Sequence, residues 1–230
     1  MAEELDSILQ LADEENNTVC QALEHLLDAQ ISDRDKRAVE NKINKARLRE
    51  LLTIDAFDFN FHPTRKKNRT KILGHLELEF IRQKKDLILL GNPGVGKTFL
   101  SQCIALAACR ARFSVLCTSV MDMINVLLAA KKDYTLGKKL HMYRSPALLC
   151  LDELGYLSLD REGADLLFQV LSDRSGQAST IITTNRPFSA WGEVLGNTTL
   201  AAALADRLVA NCEVIMLKRS YRSKQVEKDA

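Results

Sequence analysis

The octapeptide Gly91-Asn92-Pro93-Gly94-Val95-Gly96-Lys97-Thr98 restricts this 230-residue chain to a small set of folds. It fits G-x-x-x-x-G-K-[ST], a loop that cradles phosphate when it stands between a strand and a helix. Asp86-Leu87-Ile88-Leu89-Leu90 before it has the composition of a buried strand, and Thr98 to Arg112 has that of an apolar helix. The glycines let the backbone curl, so that successive N–H groups point inward at phosphate oxygens. Lys97 would neutralise the β- and γ-phosphates and the Thr98 hydroxyl would coordinate Mg²⁺. The helix would aim its positive N-terminal end at the same group. Gly91 to Thr98, with Phe99 following, are therefore the expected binding residues for a nucleoside triphosphate, ATP or GTP.

Beyond the loop the pattern alternates. Strands are expected at Val115–Thr118, Ala147–Leu151, Ser179–Thr184 and Glu213–Leu217, and helices at Val120–Lys131, Glu162–Ser172 and Ala201–Val209. Such alternation means a parallel sheet covered by helices on both faces, with ligands at the carboxyl ends of the strands. The expected fold class is α/β. Its core is a three-layer αβα sandwich around a five-stranded parallel sheet, spanning residues 86–230.

Two strand ends carry chemistry. Ala147-Leu148-Leu149-Cys150-Leu151 runs into Asp152 and Glu153. Asp152 at the strand tip would hold Mg²⁺, directly or through water, opposite Thr98. Glu153 is suited to orient or polarise an attacking water. Thr180-Ile181-Ile182-Thr183-Thr184 leads to Asn185, whose amide would bond both the γ-phosphate and that water. A water acceptor favours hydrolysis. A small-molecule kinase or a nucleotide-switched scaffold remains an alternative use of the same loop.

The front of the chain differs. Its first fifty-odd residues lack glycine and proline and look helical, with Val19, Ala22, Leu23, Leu26 and Leu27 on one apolar stripe. Ser32 or Asp33 would cap a further helix running to about Leu52. Residues 1–56 are expected to form a helical partner-binding domain, and 57–85 an aromatic and basic linker with a helix from Ile72 to Gln83. Residues 1–28 carry eight acidic side chains and no Lys or Arg, whereas 58–85 carry eight Lys or Arg against three acids. This asymmetry points to a basic or protein partner in front and a polyanion behind. No apolar run approaches the ~20 residues of a membrane span. The acidic N-terminus and six cysteines without paired C-x-x-C spacing point to a cytoplasmic, disulfide-free protein.

With these segments in view, the chain resembles an AAA+ ATPase, with Walker A at 91–98, Walker B at 148–153 and a sensor-1 Asn185. More narrowly it resembles the IstB-type helper ATPases of bacterial insertion-sequence transposition. The similarity lies in Leu151-Asp-Glu-Leu-Gly-Tyr-Leu157, Arg161-Glu-Gly-Ala-Asp-Leu-Leu-Phe168, Thr184-Asn-Arg-Pro-Phe-Ser-Ala-Trp-Gly-Glu193 and the linker's Phe57-Asp-Phe59. Phe99 departs from the family, whose members usually carry His there.

The resemblance implies more. ATP and Mg²⁺ would be the cofactors. Arg207 would be an arginine finger reaching the ATP of a neighbouring subunit, and Arg222 would touch the γ-phosphate from the sensor-2 position. Only thirteen residues follow Leu217, too few for a full C-terminal lid. Partners would be duplex DNA, a transposase of the same element, and further copies of the chain in a ring or helical filament, with no membrane. For DNA contact the preferred residues are Lys131, Lys132, Lys138 and Lys139. Arg65, Lys66, Lys67, Arg69 and Lys71, and Lys218, Arg219, Lys224 and Lys228, are further candidates. A replicative helicase loader of the DnaC type would share this core and is the nearest alternative.

Overall fold

Alternating strand residues set the architecture in the computed structural model, which describes residues 18–218. Five strands, β1 (Asp86–Gly91), β2 (Val115–Ser119), β3 (Leu148–Leu154), β4 (Ser179–Thr184) and β5 (Cys212–Leu217), pair in the order β2-β3-β4-β1-β5. Every pairing is parallel. Leu87 and Leu89 pack on one face with Leu148, Cys150, Ile181, Ile215 and Leu217. Ile88 packs on the other with Leu149, Leu151 and Ile182. A sheet buried on both faces needs continuous apolar runs, and these strands supply them.

The first face is covered by helices Pro63–His75, Glu79–Arg82 and Lys97–Arg110. The second carries Val120–Lys132, Leu136–Arg144, Arg161–Arg174, Trp191–Leu195 and Thr198–Val209. This is the expected three-layer αβα sandwich. The expectation of a missing lid falls beyond residue 218, outside the described residues. Among the described residues no helix is long and apolar enough to cross a membrane. Cys103, Cys109, Cys117, Cys150 and Cys212 are free thiols.

Two expectations for the front half are corrected. One helix runs unbroken from Val19 to Ala46, through Ser32 and Asp33. Asp33 pairs with Arg37 at 2.6 Å, one turn on, instead of starting a new helix. A Ser or Asp inside a helix costs only about half a kcal/mol, and no glycine or proline forces a break. The basic stretch 64–71, expected as linker, is helical. Pro63 opens that helix at its first turn, and His62 caps it by accepting the Thr64 N–H at 3.2 Å. Proline there is a start signal, because the N–H it lacks would be unpaired anyway.

Backbone contacts divide the chain after Asn41. The first unit exposes Leu23, Leu27 and Ile31 at four-residue spacing along its helix. The second begins at Lys42 and contains the whole sheet.

Candidate nucleotide site

The loop after β1 has the shape its glycines permit. Gly94 and Gly96 take φ of 77° and 97°, a region open to glycine at little cost. A Cβ on Gly91 would lie 2.2 Å from the Leu217 carbonyl, so the close approach of β5 also demands glycine there. The Lys97 ammonium donates to the carbonyls of Gly91 (2.7 Å) and Asn92 (2.9 Å), tying the two ends of the loop together. An ammonium has three donors, so one remains for a phosphate. Burial holds the Lys97 ammonium below its usual range, opposed by the charges of Asp152 and Glu153.

Helix Lys97–Arg110 starts at Gly96 with no side-chain cap. The helices beginning at Pro63, Val120, Arg161 and Thr198 are each capped, by His62, Ser119, Asp160 and Asn197, whereas those beginning at Glu79, Leu136 and Trp191 also lack a side-chain cap. At the Lys97 helix the uncapped start follows directly on the glycine loop, so its first N–H groups face the same space as the loop and suit an anion.

Thr98 donates its hydroxyl hydrogen to Asp152, 3.0 and 3.1 Å from the two carboxylate oxygens. Thr183 on β4 also donates to Asp152 and accepts the Glu153 N–H at 3.0 Å. The β3–β4 register shifts between Leu151 and Leu154, and Glu153 sits at φ 67°. In a regular strand successive side chains point to opposite faces. The bulge re-aims them, leaving Asp152 against Thr98 while Glu153 lines the cleft beside Lys97. That cleft, about 220 Å³, is lined by Gly94, Gly96, Lys97, Thr98, Phe99, Glu153, Tyr156 and Thr183. Tyr156 and Thr183 were not anticipated from sequence. Arg49, also unanticipated, places its guanidinium 3.9 Å from Asp152. A hydroxyl and a carboxylate side by side are hard oxygen donors, a set that fits Mg²⁺ together with phosphate and water oxygens.

Asn185 follows the last residue of β4, and its buried Oδ1 has no hydrogen-bond partner among the described residues. The turn behind it is braced. Thr184 Oγ1 donates to the Leu154 carbonyl at 2.8 Å and accepts the Arg186 N–H at 3.1 Å. The Trp191 indole donates to the Arg186 carbonyl at 3.2 Å while its fully buried ring stacks on Phe188 at 4.7 Å. An orphaned acceptor held on a braced turn fits a residue that contacts a ligand.

Comparison with known proteins agrees with this geometry. The family model described as IstB-like ATP binding protein matches residues 1–229. The chain belongs to the IstB-like ATP-binding family. It is 35% identical to the candidate ATP-binding protein of insertion sequence IS5376 from Geobacillus stearothermophilus, across 98% of this chain and 89% of that one. Identity to the counterpart in insertion sequence IS21 of Pseudomonas aeruginosa is 34%, across 97% and 84%. In fold it is similar to the crystal structure of the DnaC helicase loader, with a TM-score of 0.64 at 20% identity, covering 72% of this chain and 96% of that one.

In this IstB-family chain, Arg207 and the described lysines expected to contact DNA lie apart from the cleft. Arg207, on helix Thr198–Val209, donates to the Ser172 hydroxyl and stacks 4.9 Å over the Phe168 ring. It does not line the cleft around Lys97. Arg222, Arg219, Lys224 and Lys228 lie outside the described residues. Lys131 forms an ion pair with Glu162, while Lys132 and Lys138 are exposed and Lys139 is half-buried.

Among the linker cations, Arg65 is not a surface charge. It is fully buried and donates to Val95. This corrects its assignment as a DNA contact, because a guanidinium at 0% exposure cannot reach a phosphate backbone. Lys66, Lys67, Arg69 and Lys71 are all exposed; Arg69 stacks 5.6 Å over Phe59 and Lys71 pairs with Glu213 at 3.1 Å.

Proposed function

We propose that the chain is a DNA-stimulated ATPase that assembles on duplex DNA with ATP and assists the transposase of its insertion sequence. One observation carries the hydrolytic part. Thr98 bonds Asp152 directly, and the single hydroxyl of Thr183 joins Asp152 to the Glu153 N–H, all beside Lys97. Lys97 and the uncapped helix N-terminus bind the β- and γ-phosphates. Thr98 and Asp152 would hold Mg²⁺, which would supply positive charge against the negative charge that develops during phosphoryl transfer. Glu153 orients the attacking water and accepts its proton as the γ-phosphoryl group departs, giving ADP and phosphate. Asn185 holds that water and the γ-phosphate from the far side.

Arg207 is exposed and away from the cleft of its own chain, which supports a role at the nucleotide of a neighbouring copy. Head-to-tail contacts of this kind generate rings or helical filaments. Arg222 would act in cis. Lys132, Lys138 and Lys139 would supply phosphate contacts to DNA, and the helical front would dock the transposase. The likeness to the DnaC loader favours a second reading, in which the front holds a replicative helicase.

The test is ATP turnover with and without duplex DNA across a salt series. Stimulation that fades as salt rises is expected, because phosphate contacts release counterions. Absence of turnover under every condition would remove the hydrolytic reading. Capture of the helicase in place of the transposase would favour the loader.

A further inference from the structure

We infer that Arg65 is a positioning residue for the phosphate loop, acting on the peptide that joins Val95 to Gly96. The inference rests on the nucleotide reading above and assigns a new residue to that site.

Arg65 lies on helix Pro63–His75, thirty residues before Val95 of the loop, with its side chain fully buried. Its Nη2 donates to the Val95 carbonyl at 2.6 Å and its Nη1 to the Asp58 carbonyl at 3.1 Å. The guanidinium centre sits 4.5 Å from the Phe57 ring centre and 4.8 Å from that of Phe61. Burying a cation is costly unless hydrogen bonds and aromatic faces replace its water. Here both do, and the replacement partners include the loop itself.

The geometry gives this contact a consequence for ligand binding. Among the described residues every peptide is trans, so a carbonyl and the following N–H point in opposite directions. Holding the Val95 carbonyl toward Arg65 therefore turns the Gly96 N–H away from it. Behind Gly96 stand Phe57 and Arg65 themselves; a Cβ there would lie 2.9 Å from Phe57 Cε2 and 3.3 Å from Arg65 Nη2. In front of Gly96 is the cleft that it lines with Lys97 and Thr98. The Gly96 N–H is thus presented to the phosphate side before any ligand arrives. A charged donor on the carbonyl also polarises the peptide and strengthens its N–H as a donor.

A tie that merely held the core together would lower the melting temperature and leave nucleotide affinity alone. Positioning predicts the opposite emphasis. ATP and ADP both place a β-phosphate in the loop, so both should weaken equally, while turnover at saturating ATP should persist.

The experiment compares wild type, Arg65→Met, Arg65→Lys and, as a control, Thr70→Ala, an exposed position on the same helix. Affinities for fluorescent ATP and ADP, kcat at saturation and thermal midpoints are measured. Arg65→Met should weaken both nucleotides by about 10- to 100-fold, or roughly 1.4–2.8 kcal/mol, with kcat changed less than about threefold. Arg65→Lys should fall between, because an ammonium lacks the planar fork that spans two carbonyls. Thr70→Ala should match wild type.

Wild-type affinity for both nucleotides in folded Arg65→Met and Arg65→Lys would overturn the inference. So would a loss confined to kcat. If Arg65→Met does not fold, Arg65→Lys decides by the same affinities. A wild-type chain that binds neither nucleotide would instead remove the nucleotide reading itself.

Discussion

Thr183 on β4 donates its hydroxyl hydrogen to Asp152 on β3 and takes the backbone N–H of the next residue in return. One side chain thereby fixes both consecutive acids of the site. Replacing it with valine keeps the volume but leaves the Glu153 N–H and the Asp152 carboxylate each short of a partner, at a cost of about 1–3 kcal/mol. Thr183→Val should reduce kcat by about 10- to 100-fold while nucleotide affinity shifts by less than about threefold. Thr183→Ser should restore most of the rate. Steady-state turnover and nucleotide titration on both variants check this, and undiminished turnover in the valine form would remove the role.

Glu153 occupies a left-handed backbone conformation, φ 67°, that a non-glycine residue adopts at a cost of about 1–2 kcal/mol. Glu153→Gln should bind ATP as wild type does and lose about 10²–10⁴ in kcat. Glu153→Gly should be as inactive, yet no less stable than the Gln variant in urea, because glycine relieves the strain. A marked loss of stability in the Gly variant relative to Gln would show that side-chain packing, not backbone strain, sets the local energy.

Arg207 rests on Phe168 within its own chain. Arg207→Ala and Glu153→Gln should each be nearly inactive alone. Mixed in equal amounts they should regain turnover, since about a quarter of head-to-tail contacts would join an intact Glu153 to an intact Arg207. Recovery no greater than the sum of the separate variants would place the arginine's action elsewhere.

The helix from Val120 to Lys132 leads away from the carboxyl end of β2, so Lys131 and Lys132 lie about 20 Å of helix from Ser119. Lys131 is already paired with Glu162. The double variant Lys132→Gln with Lys138→Gln should flatten the slope of log affinity against log salt for duplex DNA by up to about 1.8, or 0.9 per lost contact. Lys131→Gln should change it less. Equal effects from all three lysines would mean that the Glu162 pair opens on DNA.

At the other end of the sheet, burial raises the Asp86 carboxyl from 3.8 to about 6, opposed by the Thr180 N–H at 2.7 Å and the charge of Arg174. The folded state therefore holds this proton more tightly than the unfolded chain does. Relative to a neutral side chain, Asp86 favours folding below about pH 4, and that advantage is lost as pH rises from about 4 to 6. Urea stability of Asp86→Asn should gain on wild type by about 1–2 kcal/mol between pH 5 and 7, and stay level above. A gap independent of pH would show that Asp86 ionises normally.

Much of this was legible in order along the chain. The glycine loop, the strand before it and the helix after it are local signals, the longest of them a helix of 14 residues. Ser179–Thr184 was expected at its observed bounds, and the other strands within three residues, because a two-sided core imposes apolar runs that need no partner to recognise. Helix Leu136–Arg144 escaped because its polar residues obscure its period, and Pro63 misled because the same residue stops one helix and starts another.

Asp152 and Glu153 announced themselves as a pair, and the family resemblance followed from short runs around them. Their arrangement did not. It needs β4 beside β3, a bulge at their junction and a threonine from sequence position 183 between them. Arg65 shows the same limit more sharply. In sequence it is one of five clustered cations, and only the packing of Phe57 and Phe61 around it, against Val95, turns it from a solvated charge into an internal brace. Local pattern governs which segments form strands and helices, since periodicity and backbone preference act over a few residues. Which side chains then meet is governed by strand order and burial, which arise from contacts between segments far apart in the chain.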